Sequence, residues 1–195
     1  MFRRLITLAV GAALAAVLAP AALGVSVHVR VEGKTTTIFG ATEPTLASGP
    51  TALDALEAAS LRGEFYYHVA SGPFVDQIGR YRGEGFSGWG FKVNGVAPQV
   101  AANQVTLHGG DTVLWYWTTF SERGGSPTLV LRRRTRNCYR VVSQDDMGKT
   151  EPAAGAVLLV DGRRVATRAG RGCVGRHRGL VRATAPHAVR SNALR

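Results

Sequence analysis

Gly109-Gly110-Asp111-Thr112-Val113-Leu114-Trp115-Tyr116-Trp117 is the stretch that decides the fold. Two glycines and an aspartate make a turn. The residues after it are β-branched, aliphatic or aromatic without interruption, which predicts a strand. A strand that is apolar on both faces is covered on both sides, so it belongs at the centre of a sheet. The nearest strong strand signal upstream is Trp89-Gly90-Phe91-Lys92-Val93, which runs into Asn94-Gly95, the strongest short hairpin signal. Further upstream, Val25, Val27, Val29 and Val31 alternate with Ser26, His28, Arg30 and Glu32. This period of two predicts a half-buried strand with the polar set turned to solvent. Gly33-Lys34 fits a two-residue hairpin turn, with Thr35 to Phe39 returning as the partner strand.

One helix interrupts the strands. Thr51 can cap its start, and Asp54 sits three residues on, as a capping box requires. Leu53, Leu56 and Ala59 share one face, and Gly63 can end the helix. Short strands follow at Phe65–Val69 and Phe74–Ile78. A hairpin, one helix, short strands and a buried final strand predict an α+β roll of the β-grasp type over residues 25–120.

Composition divides the chain in two. Residues 25–120 carry six Lys/Arg against eight Asp/Glu, a net of −2. Residues 121–195 carry sixteen against five, a net of +11. Thirteen of the fifteen aromatic residues, including all three Trp, lie in 25–120. Two modules explain this better than one core, and Ser121-Glu122-Arg123-Gly124-Gly125-Ser126-Pro127 reads as the linker. The second module, 128–195, is predicted all-β. Leu129–Leu131, Tyr139–Val142, Ala156–Val160, Arg164–Thr167 and Leu180–Ala183 are short β-prone runs separated by Asp145-Asp146-Met147-Gly148, Asp161-Gly162 and Ala169-Gly170-Arg171-Gly172. Even spacing and Gly-rich turns argue for a small β-sandwich.

The first twenty-four residues read as an export address. Met1-Phe2-Arg3-Arg4 is positive, Leu5–Leu18 is apolar except for Thr7, and small residues follow Pro20. That is the pattern of a secretory signal peptide cleaved after Ala21 or Gly24. The apolar run is shorter than the roughly 20 residues a membrane-spanning helix needs, so no span is expected after cleavage. Outside the cytoplasm, Cys138 and Cys173 are expected to form a disulfide. Closing that loop would contribute roughly 3–4 kcal/mol on the chain-entropy estimate. The other readings of the pair are a metal site or a reactive thiol, but two ligands make a poor zinc site.

Three ordered motifs carry a family resemblance. They are Thr51-Ala52-Leu53-Asp54-Ala55-Leu56, then Gly88-Trp89-Gly90-Phe91-Lys92-Val93-Asn94-Gly95, then Leu107 to Trp117. Over about residues 25–120 the chain resembles the bacterial transcobalamin carboxy-terminal-like family. That resemblance implies a β-grasp module that binds a small ligand, with cobalamin as the candidate and no cofactor required. In transcobalamin this domain closes over cobalamin against a helical domain, whereas this sequence shows one helix, 51–62. The family motif falls on Trp89, Asn94, Gly95 and Asp111; the Asn-Gly pair and the aspartate read as turn formers. The stretch Pro152 to Gly172 is more weakly similar to carboxypeptidase-regulatory-like and immunoglobulin-like domains, which implies an accessory sandwich without peptidase activity.

Catalytic motifs are scarce. The five histidines show no metalloprotease spacing, and Gly85-Phe86-Ser87-Gly88-Trp89 lacks the second glycine of a nucleophile elbow. Asp145-Asp146-Met147-Gly148 lacks the ligand ladder of a calcium loop and reads as a plain turn. A non-enzymatic protein is therefore expected. Two functional candidates remain. Tyr81, Phe86, Trp89, Phe91, Asn94 and Tyr116 surround a Gly-rich loop and could cover a planar or sugar-like small-molecule ligand. Alternatively, Arg132, Arg133, Arg134 and Arg136 could dock the protein on an anionic cell-envelope component. Because strand residues alternate, this run is expected to divide between two faces. A nucleic-acid partner is not expected of an exported protein. The strong arginine bias is also what a GC-rich genome would produce.

Overall fold

The structure is a computed structural model that describes residues 24–195. The expected signal segment, residues 1–24, lies outside the described residues except for Gly24. The described residues are rich in β-structure, with one α-helix and several small sheets among them. The first half builds β1 (Val25–Glu32), β2 (Thr37–Phe39), β3 (Thr45–Ser48), α1 (Ala52–Gly63), β4 (Tyr67–Val69), β5 (Val75–Ile78), β6 (Tyr81–Arg82), β7 (Ser87–Val93) and β8 (Thr112–Thr119). The second half builds β9 (Thr128–Thr135), β10 (Cys138–Gln144), β11 (Thr150–Pro152), β12 (Val157–Val160), β13 (Arg163–Ala166), β14 (Arg171–Cys173) and β15 (Arg182–Thr184).

The principal sheet runs β2-β1-β8-β7, with β3 also pairing along the first half of β1. β8 is central, parallel to β1 and antiparallel to β7, as its two apolar faces require. Asn94 and Gly95 take φ of 51° and 85°, the backbone a two-residue hairpin turn demands. The turn closes only onto Val96, so β7 pairs with β8 and not with the chain that follows it. Asn94 Nδ2 donates to Asp111 Oδ1 at 2.8 Å, and Thr112 N donates to Asn94 Oδ1 at 3.0 Å. The turn that ends β7 and the turn that begins β8 are thereby clasped together.

Helix α1 packs its buried face, Ala52, Ala55, Leu56 and Ala59, against Val27, Val29, Val31, Val113 and Trp115. Thr51 Oγ1 accepts from Asp54 N, and Asp54 returns a carboxylate to Thr51 N at 2.8 Å, so the capping box is formed. Gly63 is the last helical residue, and Glu64 takes the left-handed cap at φ 51°. The turn after β1 also departs from expectation. Gly33 N donates to Thr36 O, and β2 begins at Thr37, so the loop has four residues.

The second half forms two small sheets, one of β9, β10, β11 and β14, the other of β12, β13 and β15. They enclose a core that includes Leu129, Leu131, Tyr139, Val141, Leu158, Val160, Val181 and Ala183. Cys138 and Cys173 form a disulfide across β10 and β14. No β-ladder among the described residues joins the strands before Phe120 to those after Pro127. The segment between them is tied down: Gly125 N donates to Asp146 Oδ2 and Ser126 N to Thr118 Oγ1.

The polar face of β1 meets solvent at Ser26, as its alternation predicts, but not at its far end. Arg30 and Glu32 are 2% and 0% exposed, buried against the second half. Glu32 receives Arg182, Arg190 at 3.0 Å, Arg30 at 3.4 Å and the Thr37 hydroxyl at 3.1 Å. Arg30 also reaches the Arg190 carbonyl at 2.7 Å and Glu43 at 3.1 Å. A second buried contact lies on β7. Lys92 is 0% exposed, and its ammonium donates to Thr128 Oγ1, Gln144 O and Asp145 O and pairs with Asp146 at 3.3 Å. Between these polar clusters Leu114 and Tyr116 pack on Val189.

Removing one partner of a buried ion cluster leaves the others charged and uncompensated, at a cost of about 3–5 kcal/mol. Glu32→Gln is therefore expected to lower stability to urea by about 3–5 kcal/mol. Glu43→Gln, whose partner retains other bonds, should cost about 1 kcal/mol or less. Equal effects in urea titrations would refute the central role of Glu32. The clasp predicts a pH effect. The Asn94 side-chain N–H, and then the His108 backbone N–H, hold the Asp111 carboxyl below the usual carboxylate range. Its contribution is present above the unfolded pKa of about 3.9 and is lost as pH falls through the lower folded value. Asp111→Asn should flatten that acid limb of stability against pH, measured by thermal melts between about pH 2 and 5.

Candidate functional site

β7 is an edge strand of the principal sheet, and its register fixes which groups face outward. Asn94 N donates to Thr112 O across to the β8 side, while Val93 exchanges both bonds with Val96 on the outer side. At the other end Phe120 N donates to Phe86 O, and Ser87 exchanges both bonds with Glu84 on the outer side. Antiparallel strands alternate this way residue by residue. The backbone N–H and C=O groups of Trp89 and Phe91 therefore face outward, between the Glu84–Ser87 and Val93–Val96 bridges.

A cleft of about 520 Å³ lies along this edge. Trp89, Phe91 and Trp115 supply its aromatic wall, with the Phe91 and Trp115 rings stacked at 4.9 Å. The loop before β5 contributes Pro73 and Phe74, and the segment after the Asn94-Gly95 turn contributes Ala97 to Ala102. Phe74 is 76% exposed, and Val100 and Phe120 are also exposed, so the rim presents apolar side chains to solvent. Trp115 is buried, and its Nε1 is the one buried side-chain polar atom without a hydrogen-bond partner among the described residues. A buried donor left unpaired is costly.

Tyr116 and Asp146 close the inner end. The Tyr116 hydroxyl donates to Asp146 Oδ1 at 3.3 Å, and burial, reinforced by that carboxylate, pushes its phenol up. Burial pushes the Lys92 ammonium down, against the pull of Asp146. Asp146 is the one carboxylate in the lining, and it is committed to Lys92, Tyr116 and Gly125 N. The Asp145–Gly148 turn, read as a plain turn from the sequence, is held by Asp145 Oδ1 accepting from Met147 N and Lys149 N.

Of the aromatic candidates from the sequence, Trp89, Phe91 and Tyr116 line this cleft. Phe86 is 82% exposed beyond the end of β7, beside Phe120 through the Phe120 N to Phe86 O bond. Tyr81 lies on the other side of Trp89, whose Nε1 donates to its carbonyl, and its ring tilts against Trp117 at 6.0 Å. Hydrogen bonds with Thr35 and Arg80 hold the Tyr81 phenol below its ordinary range. Asn94 is occupied by the clasp to Asp111. Sequence reading did not single out Phe74, Val100 or Phe120. The apolar residues flanked by small or turn-forming neighbours in Ser71-Gly72-Pro73-Phe74 and Ala97-Pro98-Gln99-Val100 were the available signal.

Arg132, Arg133, Arg134 and Arg136 are all exposed. Alternation does not hide half of them, because β9 runs past the core beyond Leu131 and both faces meet solvent. Arg133 leans over the buried Tyr139 ring, 5.9 Å from guanidinium to centroid. Among the described residues no helix is long and apolar enough to cross a membrane, and no group of three or more His, Cys, Asp or Glu side chains gathers as a metal site would.

No curated protein and no solved structure matches the chain significantly. Residues 49–119, from the start of α1 to the end of the central strand and including the cleft's aromatic wall, match the family described as a domain of unknown function (DUF4430).

Proposed function

We propose that this is a secreted, non-enzymatic ligand-binding protein whose first half is a β-grasp module and whose second half is a supporting β-sandwich. The β-grasp reading rests on the order β2-β1-β8-β7, the parallel pairing of the first and last strands, and one helix across one face. All three motifs that resemble the transcobalamin carboxy-terminal-like family fall within the matched residues 49–119. The disulfide is compatible with an extracellular setting.

The observation that carries the reading is the cleft itself, with the stacked Phe91 and Trp115 rings in its wall and the outward backbone groups of Trp89 and Phe91 along its edge. Aromatic rings offer flat apolar area, and the outward N–H and C=O groups of Trp89 and Phe91 offer paired donors and acceptors. Such a site suits a planar apolar body fringed with amides. A corrinoid has that chemistry and is the candidate that the resemblance suggests. About 520 Å³ lies within the range of drug-sized sites, so a corrinoid would be gripped along one edge and not enclosed. With its lining carboxylate committed to Lys92, Tyr116 and Gly125 N, the cleft would meet a ligand through its aromatic rings and outward backbone groups.

Titration of the purified protein with hydroxocobalamin and cobinamide should quench tryptophan fluorescence saturably at micromolar concentration, with a shift in corrin absorbance. Phe74→Ser and Phe120→Ser should each weaken binding about tenfold, as loss of roughly 1.4 kcal/mol of apolar contact implies. Both side chains are exposed, so the melting temperature should not move. Unchanged fluorescence and no thermal shift with either corrinoid would sink the corrinoid reading. Tight binding unaffected by both substitutions would sink the cleft.

A further inference from the structure

The arginines of the second half form a line that the sequence run does not reveal. Arg140 on β10 stands directly opposite Arg132 on β9 and directly opposite Arg171 on β14. Arg171 is in turn bridged to Arg168 across the two-residue turn Ala169-Gly170, where φ is 49° and 71°. Residues opposite one another across antiparallel strands share a face, at about 5 Å per step. Arg132, Arg140, Arg171 and Arg168 therefore form one row perpendicular to the strands, about 15 Å long. The row lies on the outer face, because the neighbouring Tyr139 and Val141 of β10 point into the core.

None of the four guanidinium groups has a hydrogen-bond or ion-pair partner among the described residues. Like charges directly opposite one another destabilise a sheet. The arrangement is nevertheless clamped in place. Cys138 and Cys173, the next same-face pair along β10 and β14, are joined by the disulfide. Val141 N donates to Gly170 O at 2.7 Å, which fixes the turn that carries Arg168 and Arg171. A recess of about 460 Å³ opens among Arg140, Arg168, Arg171, Pro152 and Ala169, large enough for an anionic group to enter between three guanidiniums.

We propose that this row is a binding site for a linear phosphate-bearing polyanion, with one phosphate seated in the recess and its neighbours along Arg140 and Arg132. Planar guanidiniums bind phosphate oxygens in pairs, and a row of them suits successive groups of one chain. The recess favours a discrete group that can enter it over a flat lipid surface that cannot. The site is separate from the cleft on β7, and neither needs the other.

The test uses the full protein and long-chain inorganic polyphosphate, with orthophosphate and phosphatidylglycerol vesicles as parallel arms. Polyphosphate should bind, with affinity falling as salt rises, and should raise the melting temperature. The triple variant R132Q/R140Q/R171Q should lose tenfold or more in affinity. A control of equal charge, R164Q/R176Q/R178Q, should change less than threefold. Without polyanion the row variant should melt no lower than the parent, because like-charge repulsion has been relieved, so its loss of binding is not a folding defect. Equal losses in both triple variants would overturn the row in favour of diffuse attraction. Binding to vesicles but not to polyphosphate, or no binding of polyphosphate at all, would overturn the proposed ligand class.

Discussion

One buried carboxylate organises the relation between the two halves. Glu32 has no solvent exposure and is surrounded by Arg30, Arg182 and Arg190. Burying one carboxylate alone would be prohibitive, and burying three guanidiniums would be worse. Together, with Thr37 and the backbone carbonyls of Arg190, Ser191 and Gly33 taking the remaining donors, the groups satisfy one another. Such a cluster contributes less as raw stability than as register. Glu32 receives Arg182 and Arg190 only when the 182–190 region lies on β1, which gives the second half one place to dock.

That docking sets the cleft. Lys92 sits on β7, whose opposite face carries Trp89 and Phe91, so a strand pinned by Lys92 to Gln144, Asp145 and Asp146 also positions the aromatic wall. Asp146 is shared between this anchor and the inner end of the cleft. The second half is thus part of the site's construction, although most of the lining comes from residues before Phe120. An edge strand held at both ends by the Glu84–Ser87 and Val93–Val96 bridges is open only over Trp89 to Phe91. That short opening exposes ligand-binding backbone while offering little edge to another sheet.

What could be read from the sequence was what local chemistry decides. Thr51 and Asp54 announce a capping box because both bonds lie within one turn. The apolar run Val113–Trp117 announces a central strand because both its faces are dry. The solvent assignment of Arg30 and Glu32 failed because alternation cannot distinguish water from a charged partner some 150 residues away. β14 escaped notice for a related reason: Arg171-Gly172-Cys173 has weak strand propensity and is held by a disulfide and by pairing to β10. The cleft was half visible. Trp89 and Phe91 stood in a strand signal, but Phe74, Val100 and Phe120 come from separate loops that only the fold brings to one rim.

The arginine bias can now be divided into what a genome can set and what it cannot. Base composition can decide that a cation is arginine and not lysine, but it cannot decide where the acids go. Of the five carboxylates after residue 120, Asp145 and Asp146 are committed to the turn and to Lys92, and Asp161 to the amides of Arg178 and Gly179. Arg182 and Arg190 take their counter-charge from the first half. The outer face of β9, β10 and β14 is left with cations and no paired acid. Lys92 makes the converse point. In a chain with three lysines against twenty-one arginines, a lysine stands where two carbonyls, a hydroxyl and a carboxylate converge on one buried point. A compact ammonium with three rotatable donors meets that geometry, whereas a planar guanidinium fork would need a wider space. The departure from the chain's habit falls at the site where shape, and not charge, decides the residue.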